Sequence, residues 1–347
     1  MIPAQLPQRF LGKTKLMILG LGHGPQHRLV EDLPSILQPR DLLIVNRSAT
    51  LPSSFRGHVQ RSGEALEIRL ASFQGHPSEG LQDWLAFSFG SGDWRMPTEE
   101  RGPPPSLQSG DTIIFGDDLT ATVQAVEQAR LLHVRFQSLH LEQSLYRHGR
   151  PIQYSYLQQP LDLWDQQTLF AGPPLSTEAP SAAFPFNWDL VLRLKARGIK
   201  FAPVLHAAGL SSTGSAALDQ LLPLPEYFEV PWATVRQIET TLAEGGRIIA
   251  LGTSALRALE SAWVEGALRA GSGMTPMRLG PSARPHIALG LITGMHELGT
   301  SHRQLLTAFL PEEILSDGFA EAERNLYRSH EYGDLCLVFS EEAAHSR

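Results

Sequence analysis

The stretch "RIIALGTSALRALES", residues 247–261, reads as a buried strand, a sharp turn and the start of a helix. Ile248, Ile249, Ala250 and Leu251 form a short apolar run, Gly252 breaks it, and Thr253 or Ser254 offers an N-cap hydroxyl. Leu256, Leu259 and Trp263 then recur at helical spacing, with Ala262, Gly266 and Ala267 on the same face. A buried strand feeding directly into a helix is α/β texture. Arg257 stands against this grain. It falls in the first helical turn, where the helix dipole disfavours a cation. Two readings compete. Arg257 is either a surface partner of Glu260 at i+3, or a cation facing an anionic ligand group beside the helix N-terminus.

Similar texture lies on both sides. "KLMIL" (15–19) and "LLIVN" (42–46) read as buried strands with the helical "VEDLPSIL" between them. Later, "FNWDLVLRLKARGIK" reads as an amphipathic helix ending at Gly198, and "FAPVLHA" as a strand. "WATVRQIETTLAEGG" reads as a helix, "HIALGLIT" as a strand, "SHRQLLTAF" as a helix and "DLCLVF" as the last strand. From about residue 58 the texture differs. "EALEIRL", "WLAFSF", "DTIIF", "ATVQAVE" and "LLHVRFQ" are short, partly alternating runs separated by Gly, Asp and Pro turns. "FGDDLTAT" has the look of a hairpin connection, and "MPTEERGPPPSLQSG" of a mobile loop. The expected fold is therefore a mixed-sheet α/β domain, residues 1–57 and 150–347, interrupted by a small antiparallel β-barrel at 58–149.

Composition narrows the function. The 347 residues carry a net charge of −7, so a general nucleic-acid coat is excluded and any nucleic-acid contact must be a local basic patch. The single cysteine, Cys336, has no intrachain partner, which fits a reducing compartment. No apolar run approaches the ~18 residues of a membrane helix, and the N-terminus lacks the apolar core of a signal peptide. The expectation is a cytoplasmic monomer without a membrane partner.

Standard motifs fail by single residues. "MHELGTSH" has Thr300 where a zinc-protease helix needs its second histidine. "GLSSTG" has Thr213 where a nucleophile elbow needs glycine, and "GLGHGP" lacks the third glycine of a dinucleotide fingerprint. No metal is expected. What remains is a set of polar groups at the carboxyl ends of predicted strands, where open α/β sheets bind ligands: Gly252, Thr253, Ser254 and Arg257 after one, Thr293 and His296 after another, and His206 after a third.

These segments resemble the S-adenosylmethionine:tRNA ribosyltransferase-isomerase family of queuosine biosynthesis. "GTSALRALES" is similar to its strand–turn–helix. "YRSHEYGDLCLVF" (327–339) is similar to its C-terminal signature through Tyr327, Arg328, Tyr332, Gly333 and Asp334. "GMHELGTSHRQLLTAF" matches at His296, Leu305, Ala308 and Phe309, with Thr300 and Ser301 where the family has serine and threonine. "LPEYFEVP" matches through Glu226, Tyr227, Glu229 and Val230, and "RDLLIVNRSATLP" through Asp41, Leu42, Leu43, Asn46 and Pro52. The chain departs from the family pattern at Arg47–Ala49, at Phe184 and Pro185, at Leu224, and at His302, Arg303 and Gln304.

The resemblance implies S-adenosylmethionine as co-substrate and 7-aminomethyl-7-deazaguanine in tRNA as acceptor, with epoxyqueuosine as product. It implies catalytic roles for His296, Arg257, Glu226 and Asp334. It implies S-adenosylmethionine contacts from Gly252, Thr253, Ser254, Arg257, His206 and Tyr332, and acceptor contacts from Asn46, Thr300, Ser301, Tyr327 and Arg328. The C-terminal signature is expected beside Arg257 and His296, provided that the last strand runs antiparallel to its neighbours. Two alternatives stay open: a small-molecule acceptor, and a catalytically silent nucleotide-binding protein.

Overall fold

The computed structural model describes residues 1–7, 12–20, 22, 24–128, 130–296 and 299–340. Parts of two motif-like stretches, Leu21 and His23 of "GLGHGP" and Glu297 and Leu298 of "MHELGTSH", lie outside the described residues. Strands β1 (Lys15–Leu19), β2 (Gln26–Leu29) and β3 (Leu42–Asn46) open the chain. Six barrel strands follow: β4 (Ser54–Val59), β5 (Ala65–Phe73), β6 (Asp83–Phe89), β7 (Thr112–Gly116), β8 (Leu119–Gln128) and β9 (Leu131–Gln137). Helix α1 (Leu141–His148) leads out of the barrel. The second part alternates α2 (Trp188–Ala196), β10 (Lys200–His206), β11 (Glu226–Val230), α3 (Trp232–Ala243), β12 (Ile248–Leu251), α4 (Thr253–Ser261) and β13 (Gly271–Thr275). It closes with β14 (Gly290–Gly294), α5 (Ser301–Leu306), α6 (Glu312–Arg324) and β15 (Leu335–Phe339).

The main sheet has nine strands in the order β13-β11-β10-β3-β12-β14-β15-β1-β2. Its centre, β10, β3, β12 and β14, is parallel. These strands are continuous apolar runs because both faces are covered. Leu43, Ile249 and Leu251 pack on one side with Leu190, Val191 and Leu194 of α2. Ile44, Ile248 and Ala250 pack on the other with Leu256 and Leu259 of α4. β15 pairs antiparallel with β14, Leu335 opposite Gly294, so its start lies at the carboxyl edge of the central strands. Four loop ends therefore converge there, after His206, Asn46, Leu251 and Gly294.

The barrel is closed in the order β8-β9-β6-β5-β4-β7. Phe55, Phe115 and Phe136 form an aromatic triangle inside it, with ring centroids 5.2–5.7 Å apart. The expected start at residue 58 falls inside β4. Its alternation was hidden by Gly57, where a Cβ would lie 2.4 Å from the Ile114 carbonyl on the crossing strand. The loop expected to be mobile is anchored instead. Arg101 is buried, with its guanidinium on Glu67 (2.8 Å) and the Gly90 carbonyl (2.5 Å), while Arg69 holds the other Glu67 oxygen at 2.7 Å. An isolated buried carboxylate is costly, so its two arginines hold both the loop and the strand in place.

Three local readings change. Thr253 and Ser254 lie inside α4, and the cap position is Gly252 with φ 92°, a left-handed conformation suited to glycine. α4 ends at Ser261, before Trp263. The strand expected over 286–293 is paired only from Gly290, and helix α6 was not read from the sequence. No helix among the described residues is long and apolar enough to cross a membrane.

Candidate active site

A cleft of about 600 Å³ opens at the carboxyl edge of the sheet, within the range of nucleotide-sized sites. Its lining includes Glu178, His206, Glu226, Arg257, His296 and His302. Gly252, Thr253 and Ser254 bring the first turn of α4 to the same space, and Ser301 that of α5. First-turn amides have no partner within their own helix, so α4 presents donors and a positive dipole end to the cleft.

Arg257 is 8% exposed and does not meet Glu260. Its Nη1 donates to Glu226 Oε2, its Nε donates to the Met277 carbonyl at 3.0 Å, and its buried Nη2 has no protein partner. Glu260 instead accepts the backbone amides of His286, Ile287 and Ala288 at 2.7–3.1 Å. Glu226 is the first residue of β11 and reaches past the last β10 pair, His206 opposite Phe228. Its second oxygen accepts the Gly209 amide at 2.5 Å. Only glycine fits at 209, because a Cβ would sit 2.1 Å from the Ala71 carbonyl of the barrel. Burial pushes the Glu226 carboxyl up against the opposing pull of Arg257 and the Gly209 amide.

His206 is fully buried, and its Nε2 lies 3.4 Å from Glu226 Oε2 outside hydrogen-bond geometry. Burial, then the charge on Arg257, holds its pKa well below the ordinary range. His296 stacks on His302, ring centroids 4.6 Å apart, and its Nε2 is 3.0 Å from Thr293 Oγ1. Burial and the neighbouring histidines hold His296 well down, and burial with Arg257 brings His302 to about 4. The imidazoles are thus neutral at pH 7 and offer a ring nitrogen that accepts hydrogen bonds, while the same burial makes them weak bases. Among the described residues no group of three His, Cys, Asp or Glu side chains is placed to hold a metal ion.

Other expected site residues lie elsewhere. Asn46 spends its amide on the protein: Nδ2 donates to the His206 carbonyl (3.0 Å) and Ser254 Oγ (3.1 Å), and Oδ1 accepts the amides of His206 and Ser48 (both 3.0 Å). It clamps the ends of β3 and β10 to the start of α4 and is not among the lining side chains. Thr300 caps α5 by accepting the Arg303 amide at 3.2 Å. Asp334, fully buried, accepts the amides of Lys15 and Arg328 at 2.8 Å each. The Arg328 guanidinium stays within 3.6 Å of the same carboxylate. Tyr327 bonds His27 Nδ1 at 3.0 Å under the Lys15 ammonium. Tyr332 stacks on Phe184, centroids 5.1 Å apart, and bonds Gln166 at 2.9 Å. The last strand runs antiparallel to β14 but parallel to its other neighbour β1; its start does lie at the carboxyl edge, yet these four side chains do not line the cleft.

Sequence reading missed Glu178 as a site residue. No motif marked it, since it is brought in by the short strand Pro174–Ser176 and the Thr177 amide bond to the Ala208 carbonyl, 2.8 Å. His302 carried a signal, a polar residue where the family helix is apolar. Leu224, at a family histidine position, packs with Phe87 and Phe89 of the barrel.

The decisive comparison covers the whole fold. The family described as queuosine biosynthesis protein matches residues 2–338. The chain belongs to the queuosine biosynthesis protein family. It is 34% identical to an S-adenosylmethionine:tRNA ribosyltransferase-isomerase of Anaeromyxobacter sp. strain K, covering 96% of this chain and 95% of the relative. The corresponding protein of Acaryochloris marina is 30% identical over 97% of this chain and 92% of its own length. Among solved structures, an S-adenosylmethionine tRNA ribosyltransferase from Thermotoga maritima superposes with a TM-score of 0.52 at 20% identity, covering 97% and 96% of the two chains. That likeness carries the fold: an α/β sheet with an inserted barrel.

Proposed function

We propose that this protein is an S-adenosylmethionine-dependent ribosyltransferase-isomerase that acts on 7-aminomethyl-7-deazaguanine in tRNA to give epoxyqueuosine, releasing adenine and methionine. The observation that carries the reading is the end-to-end match to relatives of that name, joined to a cleft lined by His206, Glu226, Gly252, Arg257 and His296. In the cleft, the α4 first-turn amides beside Gly252, Thr253 and Ser254 and the unpartnered Arg257 Nη2 form a donor set for the methionine carboxylate. Glu226 neutralises most of the Arg257 charge, so that arginine acts mainly as an oriented donor. The sulfonium acidifies its neighbouring C–H groups, and the neutral rings of His206 and His296 line the same walls as hydrogen-bond acceptors that can orient the substrate.

tRNA is the macromolecular substrate of this reading, and an acidic protein must meet it locally. Exposed Arg278 borders the cleft and, with exposed Arg284 and His286, lines an adjoining depression of about 740 Å³. That basic rim is the expected path of the phosphate backbone. The test is incubation of the purified protein with S-adenosylmethionine and tRNA bearing the aminomethyl base, following free adenine. Absence of adenine release would overturn the assignment.

A further inference from the structure

Among the described residues the cleft holds three carboxylates, and two are committed. Glu226 is taken by Arg257 and the Gly209 amide. Asp219 is taken by Ser212 Oγ (3.0 Å), the Thr213 amide (2.6 Å) and Thr213 Oγ1 (2.5 Å), all within its own loop. Glu178 differs. Tyr154 Oη donates to its Oε1 at 2.5 Å and Ser211 donates to it as well, but no cation among the described residues pairs with it. A half-buried carboxylate facing a ligand cleft without a counter-ion is complementary to a cationic guest.

Resting on the function proposed above, we infer that Glu178 is the carboxylate that receives the acceptor's aminomethyl group and takes its proton. As an ammonium, the acceptor nitrogen has no lone pair for attack. In the step, one N–H bond of the –CH₂–NH₃⁺ group breaks and its electron pair stays on nitrogen. The proton bonds a Glu178 oxygen, so ammonium and carboxylate become neutral amine and carboxylic acid. Charge and atoms balance within the two partners.

The surroundings suit that exchange. Burial, and then the charge of Glu331, push the Glu178 carboxyl up to about 7 against the hydrogen bonds of Ser211 and Tyr154. A carboxylate of that basicity takes an ammonium proton far more readily than an ordinary glutamate does. The titratable groups around it are Tyr154, Tyr156 and Glu331, with Arg69 beyond Tyr154. Tyr154 stacks on Tyr156 with centroids 6.0 Å apart, and Tyr156 donates to Glu331, which fixes the tyrosine that holds Glu178.

The test measures adenine release by the full chain over a range from about pH 5.5 to about pH 9. The expected wild-type kcat/KM rises on an acid limb near 7. Glu178→Gln loses that limb and at least ~100-fold in rate, while keeping thermal stabilisation by S-adenosylmethionine alone. Glu178→Asp recovers part of the rate. Tyr154→Phe, which removes a donor to the carboxylate, moves the limb to higher pH. A Gln variant with wild-type rate and limb overturns the inference while leaving the function intact. A wild type that releases no adenine at any pH removes the function and this inference with it. Should Glu178→Gln fail to fold, an unmoved limb in Tyr154→Phe overturns the inference alone.

Discussion

Arg257 and Glu226, 31 positions apart in the chain, form one buried ion pair that ties the helix after the central strand to the strand beside the barrel. The pair explains a cation near a helix N-terminus. Its partner is a carboxylate delivered by another element, and His206 lies against the same oxygen.

Removing one member of that pair leaves an uncompensated buried charge. Arg257→Ala is expected to destabilise the fold by ~3–5 kcal/mol in urea unfolding, and the Arg257→Ala/Glu226→Ala double variant by less than the sum of the singles. Strict additivity would show that the two side chains do not interact.

Arg257 also has a ligand-facing donor. In a variant background that stays folded, Arg257→Ala should weaken S-adenosylmethionine by ~1.5–3 kcal/mol, read by calorimetry. Equal affinity would place the carboxylate elsewhere in the cleft.

Asn46 places its side-chain amide on His206, Ser254 and Ser48. Asn46→Asp loses the two N–H bonds to the His206 carbonyl and Ser254 Oγ and sets a carboxylate oxygen against that carbonyl oxygen. It is expected to cost at least ~2 kcal/mol of stability at pH 7. The KM for tRNA of the folded fraction should stay at the wild-type value. A selective rise in that KM would return Asn46 to the acceptor site.

Acid sensitivity follows from the histidines. His302 titrates near 4 in the fold against about 6.5 in the unfolded chain, so the unfolded state binds more protons between these values. Stability is therefore full above about 6.5 and is lost as pH falls toward 4. His302→Gln should flatten that part of the stability–pH curve. Glu178, raised by burial, has the opposite sign: its contribution declines as pH rises from about 4.5 to about 7, and Glu178→Gln should remove that decline. An unchanged slope in either variant would contradict its assigned protonation.

The proposed path of tRNA over Arg278 and Arg284 predicts a salt effect. Replacing Arg284, which lines only the adjoining depression, by Ala should weaken tRNA binding at low salt and reduce the slope of log K against log salt by ~1, without changing binding of S-adenosylmethionine alone. Filter binding across salt concentrations measures it.

By itself the sequence determined the α/β texture, the barrel, the strand–turn–helix at 247–261 and the set of loops at one sheet edge. Apolar runs such as "IIAL" and "LLIVN", the break at Gly252 and the switch to short alternating runs are local signals, because backbone and burial act over a few residues. β4 stayed partly hidden because Gly57 is set by a crossing strand, whereas α6 carried local signals that went unread, Pro311 before the acidic Glu312 and Glu313 and Arg324 in the last turn. Which polar side chains share the cleft was a tertiary decision. Tyr327, Tyr332 and Asp334 belong to a motif at the right edge, yet side-chain direction turned them into packing and turn capping. Asn46 reached the edge and was consumed by the His206 backbone, the Ser48 amide and the Ser254 hydroxyl. Arg257 found its partner in Glu226 and not in Glu260, and Glu178 entered the cleft through a two-strand contact, because a buried charge is governed by whatever the fold places within a few ångströms of it, not by its neighbours in the chain.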